Sequence, residues 1–187
     1  YVGFNNASLG KALGQTTKYI RCVRGEMPVI NRVFATTDTG SGDLGSWQLA
    51  IDAGESGGGL AAADAICQGS AEEAGLSGTF VAWMSDTVDD AFCRIQGLTG
   101  KKSANCGQGS LPLSGGPWVR MDGHVYADSL TYLLAGAIYV PVRFDQWGDQ
   151  VDGPVFTDTT SGGEQNSSND ACGEWTSGVY DSVNVGY

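Results

Sequence analysis

Residues 58–86, GGLAAADAICQGSAEEAGLSGTFVAWMSD, carry the reading that decides the fold. Ala62 with Ile66 and Ala63 with Cys67 recur at i and i+4, the spacing of one helix face. Ser56 or the glycines at 57–59 start this helix, and Gly75 stops it, because glycine takes the left-handed position after a helix without steric cost. Its buried stripe consists of small residues, so it is expected to pack close to a sheet with Cys67 facing inward. The run TFVAWMSD, residues 79–86, then reads as a central strand. A helix feeding a strand in this way is a unit of an α+β domain.

Working outward, VINRVFATTDTGSG (residues 29–42) reads as a strand ending in a Gly/Asp/Ser turn. In SWQLAIDAG (residues 46–54), Trp47, Leu49 and Ile51 alternate with polar or small residues, which predicts the second arm of a β-hairpin. DDAFCRIQ (89–96) predicts a short helical turn capped by Asp89, and GPWVRMDG (116–123) a strand. GAIYVPVRFDQWG (136–148) predicts an extended segment with Pro141 at an edge or bulge. From Asp145 to Glu174 the chain is dominated by Asp, Gly, Ser, Thr and Asn, the composition of long loops, where binding commonly resides. At the start, Tyr1–Phe4 and Lys18–Arg24 read as the strands of a hairpin too small to be stable alone. The expected organisation is a hairpin over 1–25, a linker over 26–32 around Pro28, and a main α+β domain over 33–187 with one main helix and long acidic loops.

Twenty-nine glycines and only 17% charged residues fit a loop-rich fold and argue against a helical bundle. The formal charge of −11 is unevenly placed. Lys11, Lys18, Arg21, Arg24 and Arg32 stand against Glu26 alone in the first 32 residues, which leaves 5 basic and 20 acidic groups, net −15, in residues 33–187. Such a surface repels phosphate backbones, so nucleic acid is not an expected partner. No apolar run approaches the ~20 residues of a membrane span. The chain begins with Tyr1 rather than methionine, and is expected to be a mature or excised piece of a longer protein.

Five cysteines, at 22, 67, 93, 106 and 172, form no CxxC pair, so disulfides are expected in place of a zinc or redox site. That implies an oxidising compartment: secreted, periplasmic or cell-surface. Cys93 and Cys106 flank a short polar loop and are the expected pair. The odd number leaves at least one thiol free or bonded outside the chain.

The catalytic patterns are weak. Gly40-Ser41-Gly42-Asp43-Leu44-Gly45 fits G-x-G-x-x-G, but a dinucleotide site needs a helix next, and SWQLAID reads as a strand. Gly100-Lys101-Lys102-Ser103 imitates part of a P-loop without its first glycine or its final Ser/Thr, and reads as a solvated loop. His124 is the single histidine, in a predicted surface turn, and no G-x-S-x-G accompanies it. No enzymatic activity is expected. Asp145, Asp149, Asp152 and Asp158 offer closely spaced oxygens of the kind calcium takes, which makes Ca²⁺ the one candidate cofactor. Among the tryptophans, Trp83 and Trp118 read as core from their apolar strands. Trp147, in FDQWGD, is the candidate for an exposed ring that stacks on a sugar or a protein.

The succession FATTDTGSGDLG, GLAAADAICQGSAEEAGLSGTFVAWMSD, CRIQG…NCGQG, GPWV and NDACGEWTSG resembles the bacterial endostatin-like domain of spirochaete outer-membrane endostatin-like proteins, over about residues 30–180. KYIRCVRG separately resembles the end of a second bacterial domain that closes on YVRCVRGG in surface lectin-like and adhesin proteins. The first resemblance implies a C-type-lectin-like fold with a twisted antiparallel sheet, and a role in adhesion or interaction at the cell surface with an extracellular protein or glycan. It also implies that the residues matching Cys67 and Cys172 bond to cysteines on closing strands beyond Tyr187, unless this chain pairs the two with each other. By the second resemblance, Cys22 would find its partner in the preceding domain. An incomplete sheet edge would favour self-association. Asn169 and Asp170 fall where such folds place calcium and sugar ligands. The alternatives are a calcium-dependent carbohydrate-binding module and a structural subunit of a surface layer or filament.

Overall fold

The computed structural model describes residues 30–113, 115–166, 171–179 and 185–186. The candidate hairpin 1–25 with Cys22, and Asn169 and Asp170, lie outside the described residues.

The chain is mixed α and β. Strand β1 (Asn31–Val33) begins two residues inside the stretch read as a linker. It pairs in parallel with β2 (Trp118–Arg120), which pairs antiparallel with β3 (Val125–Ala127) through a bulge at Trp118/Val119. The sheet is therefore mixed and not the antiparallel one expected, and among the described residues β1 is one of its two edges. Two short helices, α1 (Gln48–Asp52) and α3 (Ala91–Arg94), flank the long α2 (Gly59–Glu73) in sequence. Helix α4 (Leu130–Leu134), capped by the Ser129 hydroxyl, follows β3. A second pair, β4 (Val155–Phe156) with β5 (Val185–Gly186), is antiparallel.

Helix α2 matches its sequence pattern, with Leu60, Ala62, Ala63, Ile66, Ser70 and Ala71 buried and Gly75 left-handed just beyond its end. It does not lie on a sheet. It packs on α1, on the 3-10 turn Leu44–Ser46 and on residues 171–175. Small side chains permit the approach: a Cβ on Gly69 would sit 3.0 Å from Leu49 Cδ2 of α1. The segment SWQLAID is a helix, not a hairpin arm. Its alternation misleads because the residue fully buried is the small Ala50, while Ile51 is 45% exposed, and Gln48 Nε2 donates to Asp52 Oδ1 one turn on (2.7 Å).

Residues 79–86, the segment predicted to be extended, form no strand: the chain bends at Trp83, where Met84 N donates to Ala82 O (2.9 Å). Side chains take several of their backbone groups, while Ser85 N donates to Thr157 O (3.3 Å). Phe80 N donates to Gln68 Oε1 (2.9 Å) and Ala82 N to Asp64 Oδ1 (2.8 Å), both carboxamide and carboxylate coming from α2. Arg94 of α3 donates to the carbonyls of Ala82 (3.0 Å) and Met84 (2.7 Å), and to Asp64 Oδ1 (2.5 Å). Helix α3 follows Asp90, not Asp89; Asp89 Oδ1 accepts from Gly100 N instead.

Two apolar clusters result. One gathers α1, α2 and the extended segment around Trp175; the other gathers Phe92, the Cys93–Cys106 disulfide, Ala127, Leu130 and Leu133, with Trp83 and Trp118 packed against it. Residues Ala171–Trp175 form a left-handed turn, with φ between +44° and +64° at all five. Left-handed helix costs an L-residue about 1–2 kcal/mol, so burial must hold this turn in place: Trp175 is fully buried and its Nε1 donates to Ser85 O (2.9 Å). Gly42 serves the same packing, since a Cβ there would lie 2.4 Å from Cys172 Sγ.

The expected Cys93–Cys106 bridge is present, with Cα atoms 5.4 Å apart. By the chain-entropy relation, closing a loop of this length contributes about 3 kcal/mol. Reduction with a thiol reagent is expected to lower the urea midpoint by the equivalent of that amount, and an unchanged midpoint would show the bridge to be energetically idle.

Candidate functional site

The feature that stands out is a cleft of about 590 Å³ between the β1 edge and the extended segment, a size within the range of ligand sites. Ile30, Asn31 and Arg32 form one wall, Ser77–Val81 the opposite one, and Ile95, Gln96, Leu98, Pro112 and Trp118 line the rest. Phe34 and Phe80 tie the two walls, their rings 5.5 Å apart.

Backbone direction gives the cleft its chemistry. Asn31 N donates to Pro117 O (3.2 Å) and Ala35 N to Phe144 O (2.9 Å), so alternate residues turn their amides toward the sheet interior and Arg32 turns its N–H and C=O outward. On the other wall, Phe80 and Ala82 direct their amides to α2, so Thr79 and Val81 face the other way. All three outward residues line the cleft, and their amides have no hydrogen-bond partner among the described residues. Gln96 Oε1 is buried nearby without a partner, while its Nε2 donates to Phe92 O (2.9 Å). No sequence signal marked this cleft, because it joins segments some fifty residues apart.

The other candidates fall elsewhere. Asp145, 3% exposed, accepts from the amides of Trp147 and Asp149 (2.9 Å each) and so closes its own turn. Asp158 is fully buried, whereas Asp149 and Asp152 are exposed. Among the described residues, no three His, Cys, Asp or Glu side chains converge to hold a metal ion. Trp147 is 54% exposed. His124 is exposed in the β2–β3 turn, 3.0 Å from Asp122 Oδ2. Arg120 hydrogen-bonds the same carboxylate and, as the largest cause, holds Asp122 well below the usual carboxylate range.

The glycines at 40, 42 and 45 are consumed by packing. A Cβ on each would collide with the Trp47 ring, Cys172 and the Ser56 carbonyl respectively, so they cradle no phosphate even though a short helix does follow them. Lys101 and Lys102 are half-buried and ion-paired with Asp90 (3.2 Å) and Glu164 (3.6 Å), not solvated.

Cys67 is not joined to Cys172: its thiol is free and half-buried against the α2 core. Burial, aided by the Asp64 carboxylate and opposed by Arg94, pushes it up to about 12 from an ordinary 9.0. The thiolate is the reacting species. At pH 8 its population falls by about three decades, and the greater nucleophilicity of a basic thiolate recovers little over one of them. Alkylation of Cys67 in the folded chain is therefore expected to run roughly 40-fold slower than in urea-unfolded chain. Equal rates, followed by peptide mass mapping, would contradict this.

No family model and no curated protein matches the chain.

Proposed function

We propose that the chain is a non-enzymatic interaction module of the cell surface or extracellular space, and that it holds an extended segment of a partner protein by strand addition in the cleft beside β1. The observation that carries this reading is the facing pair of backbone rows, Arg32 on one wall with Thr79 and Val81 on the other, whose amides lack partners among the described residues. Unmet backbone groups at a sheet edge are a template for another strand, and strand addition draws affinity from main-chain bonds and selectivity from alternate side-chain pockets. Ile30, Phe80, Ile95, Leu98 and Trp118 supply such apolar pockets. The Cys93–Cys106 disulfide supports an oxidising location, as does the resemblance to bacterial endostatin-like surface domains.

The test is a selection of phage-displayed random dodecapeptides on the folded chain, followed by amide hydrogen exchange with the best peptide. The Arg32, Thr79 and Val81 amides are expected to exchange fast in the free chain and to become protected in the complex. Val81→Pro removes one of the three amide donors that face the cleft yet spares the bonds at Phe80 and Ala82, and should abolish binding while leaving the melting temperature near its original value. A peptide bound with those three amides still exchanging freely would overturn the reading.

One observation favours a second reading, a calcium-dependent carbohydrate-binding module: the exposed Trp147 ring beside the Asp145 turn. It requires that EDTA lower the melting temperature and abolish glycan retention, and an unchanged melting temperature would remove it.

A further inference from the structure

We infer that the segment taken into this cleft carries an acidic side chain opposite Arg32, flanked by apolar residues at alternate positions. The inference rests on the strand-addition reading and deepens it. Arg32 is the single charged residue lining the cleft. Of the described Lys and Arg side chains, Arg94, Lys101, Lys102 and Arg120 each have a carboxylate within ion-pair distance, whereas Arg32 and Arg143 have none, and of these two it is Arg32 that lines the cleft. The cleft instead surrounds it with Asn31, Ser77, Thr79 and apolar walls. An incoming carboxylate would meet no like charge within the cleft, and the acidic surface outside is screened beyond a Debye length of about 8 Å at physiological salt. Because side chains alternate across a strand, an acidic residue directed at Arg32 leaves its neighbours at ±1 directed to the opposite face, where apolar groups are favoured.

The same dodecapeptide selection, run in parallel on wild-type chain, Arg32→Gln and Arg32→Glu, tests this. Wild type is expected to enrich Asp or Glu at one position between apolar residues. Arg32→Gln should weaken the best wild-type peptide about fivefold in Kd, and Arg32→Glu should shift the enriched residue to Lys or Arg. Enrichment of apolar alternation with no acidic preference, unchanged in the two variants, would overturn the inference while leaving strand addition intact. No enrichment on any of the three would overturn both. Enrichment of sequences like Tyr19–Val23 (YIRCV), together with binding of a synthetic peptide spanning residues 17–25, would assign the cleft to this chain's own amino-terminal segment and overturn the acidic partner. Concentration-dependent dimers that the selected peptide dissolves would assign it to a second copy, with the same consequence.

Discussion

Replacing Arg94 with alanine is expected to lower the unfolding free energy by about 3–5 kcal/mol, the usual cost of removing one partner from a buried charge pair. The guanidinium is almost completely buried and serves four acceptors on two segments: the carbonyls of Ala82 and Met84, and Leu60 O (3.4 Å) and Asp64 Oδ1 of α2. Alanine leaves those carbonyls without donors and leaves the Asp64 charge facing them. Asp64→Asn is the milder control. An amide oxygen still accepts from Ala82 N and from Arg94, so about 1.5 kcal/mol is expected. Urea denaturation of the three proteins measures the order, and an Arg94→Ala loss no larger than that of Asp64→Asn would show that the guanidinium does not organise this region. Because Ala82 and Met84 continue the wall formed by Ser77–Val81, Arg94→Ala is also expected to abolish peptide binding in whatever fraction remains folded.

Trp175→Ala is the second large effect, at about 3–5 kcal/mol for truncating a fully buried tryptophan. The indole fills the α2 core beside Phe156, with ring centroids 6.2 Å apart, and its Nε1 reaches Ser85 O. Beyond the cavity, that truncation releases the left-handed turn Ala171–Trp175, whose backbone has no local reason to persist. Trp175→Phe separates the two contributions: it keeps most of the apolar contact but leaves the carbonyl of buried Ser85 unpaired, for about 1–3 kcal/mol. Thermal and urea unfolding, with circular dichroism as the readout, decide between them. If Trp175→Phe were as damaging as Trp175→Ala, the hydrogen bond and not the packing would hold the turn.

Helix α2 was legible because its signal is local: small apolar residues at i and i+4, glycines before it and Gly75 after it. The Cys93–Cys106 pairing was legible for a similar reason, the short loop between the two cysteines. TFVAWMSD looked like a strand because its residues prefer extended φ/ψ, but it bends at Trp83 and joins no ladder among the described residues. A ladder, however, needs a neighbouring backbone, and Gln68, Asp64 and Arg94 occupy the groups a neighbour would have used. SWQLAID was misread because a five-residue helix and a short strand share one apolar pattern when the buried residue is an alanine.

By itself the sequence determined the class of element at α2, the disulfide, the acidic balance and the loop-rich α+β character, all properties of composition or of residues within about twenty positions of one another. Only the tertiary structure decided that β1 and β2 run parallel, that the four candidate calcium carboxylates divide between buried and exposed sites, and that a cleft with unmet amides lies beside Arg32. The reason is that hydrogen bonding is exclusive. Which backbone groups remain unmet depends on which distant side chains have claimed the others, and that is settled only when the whole chain has packed.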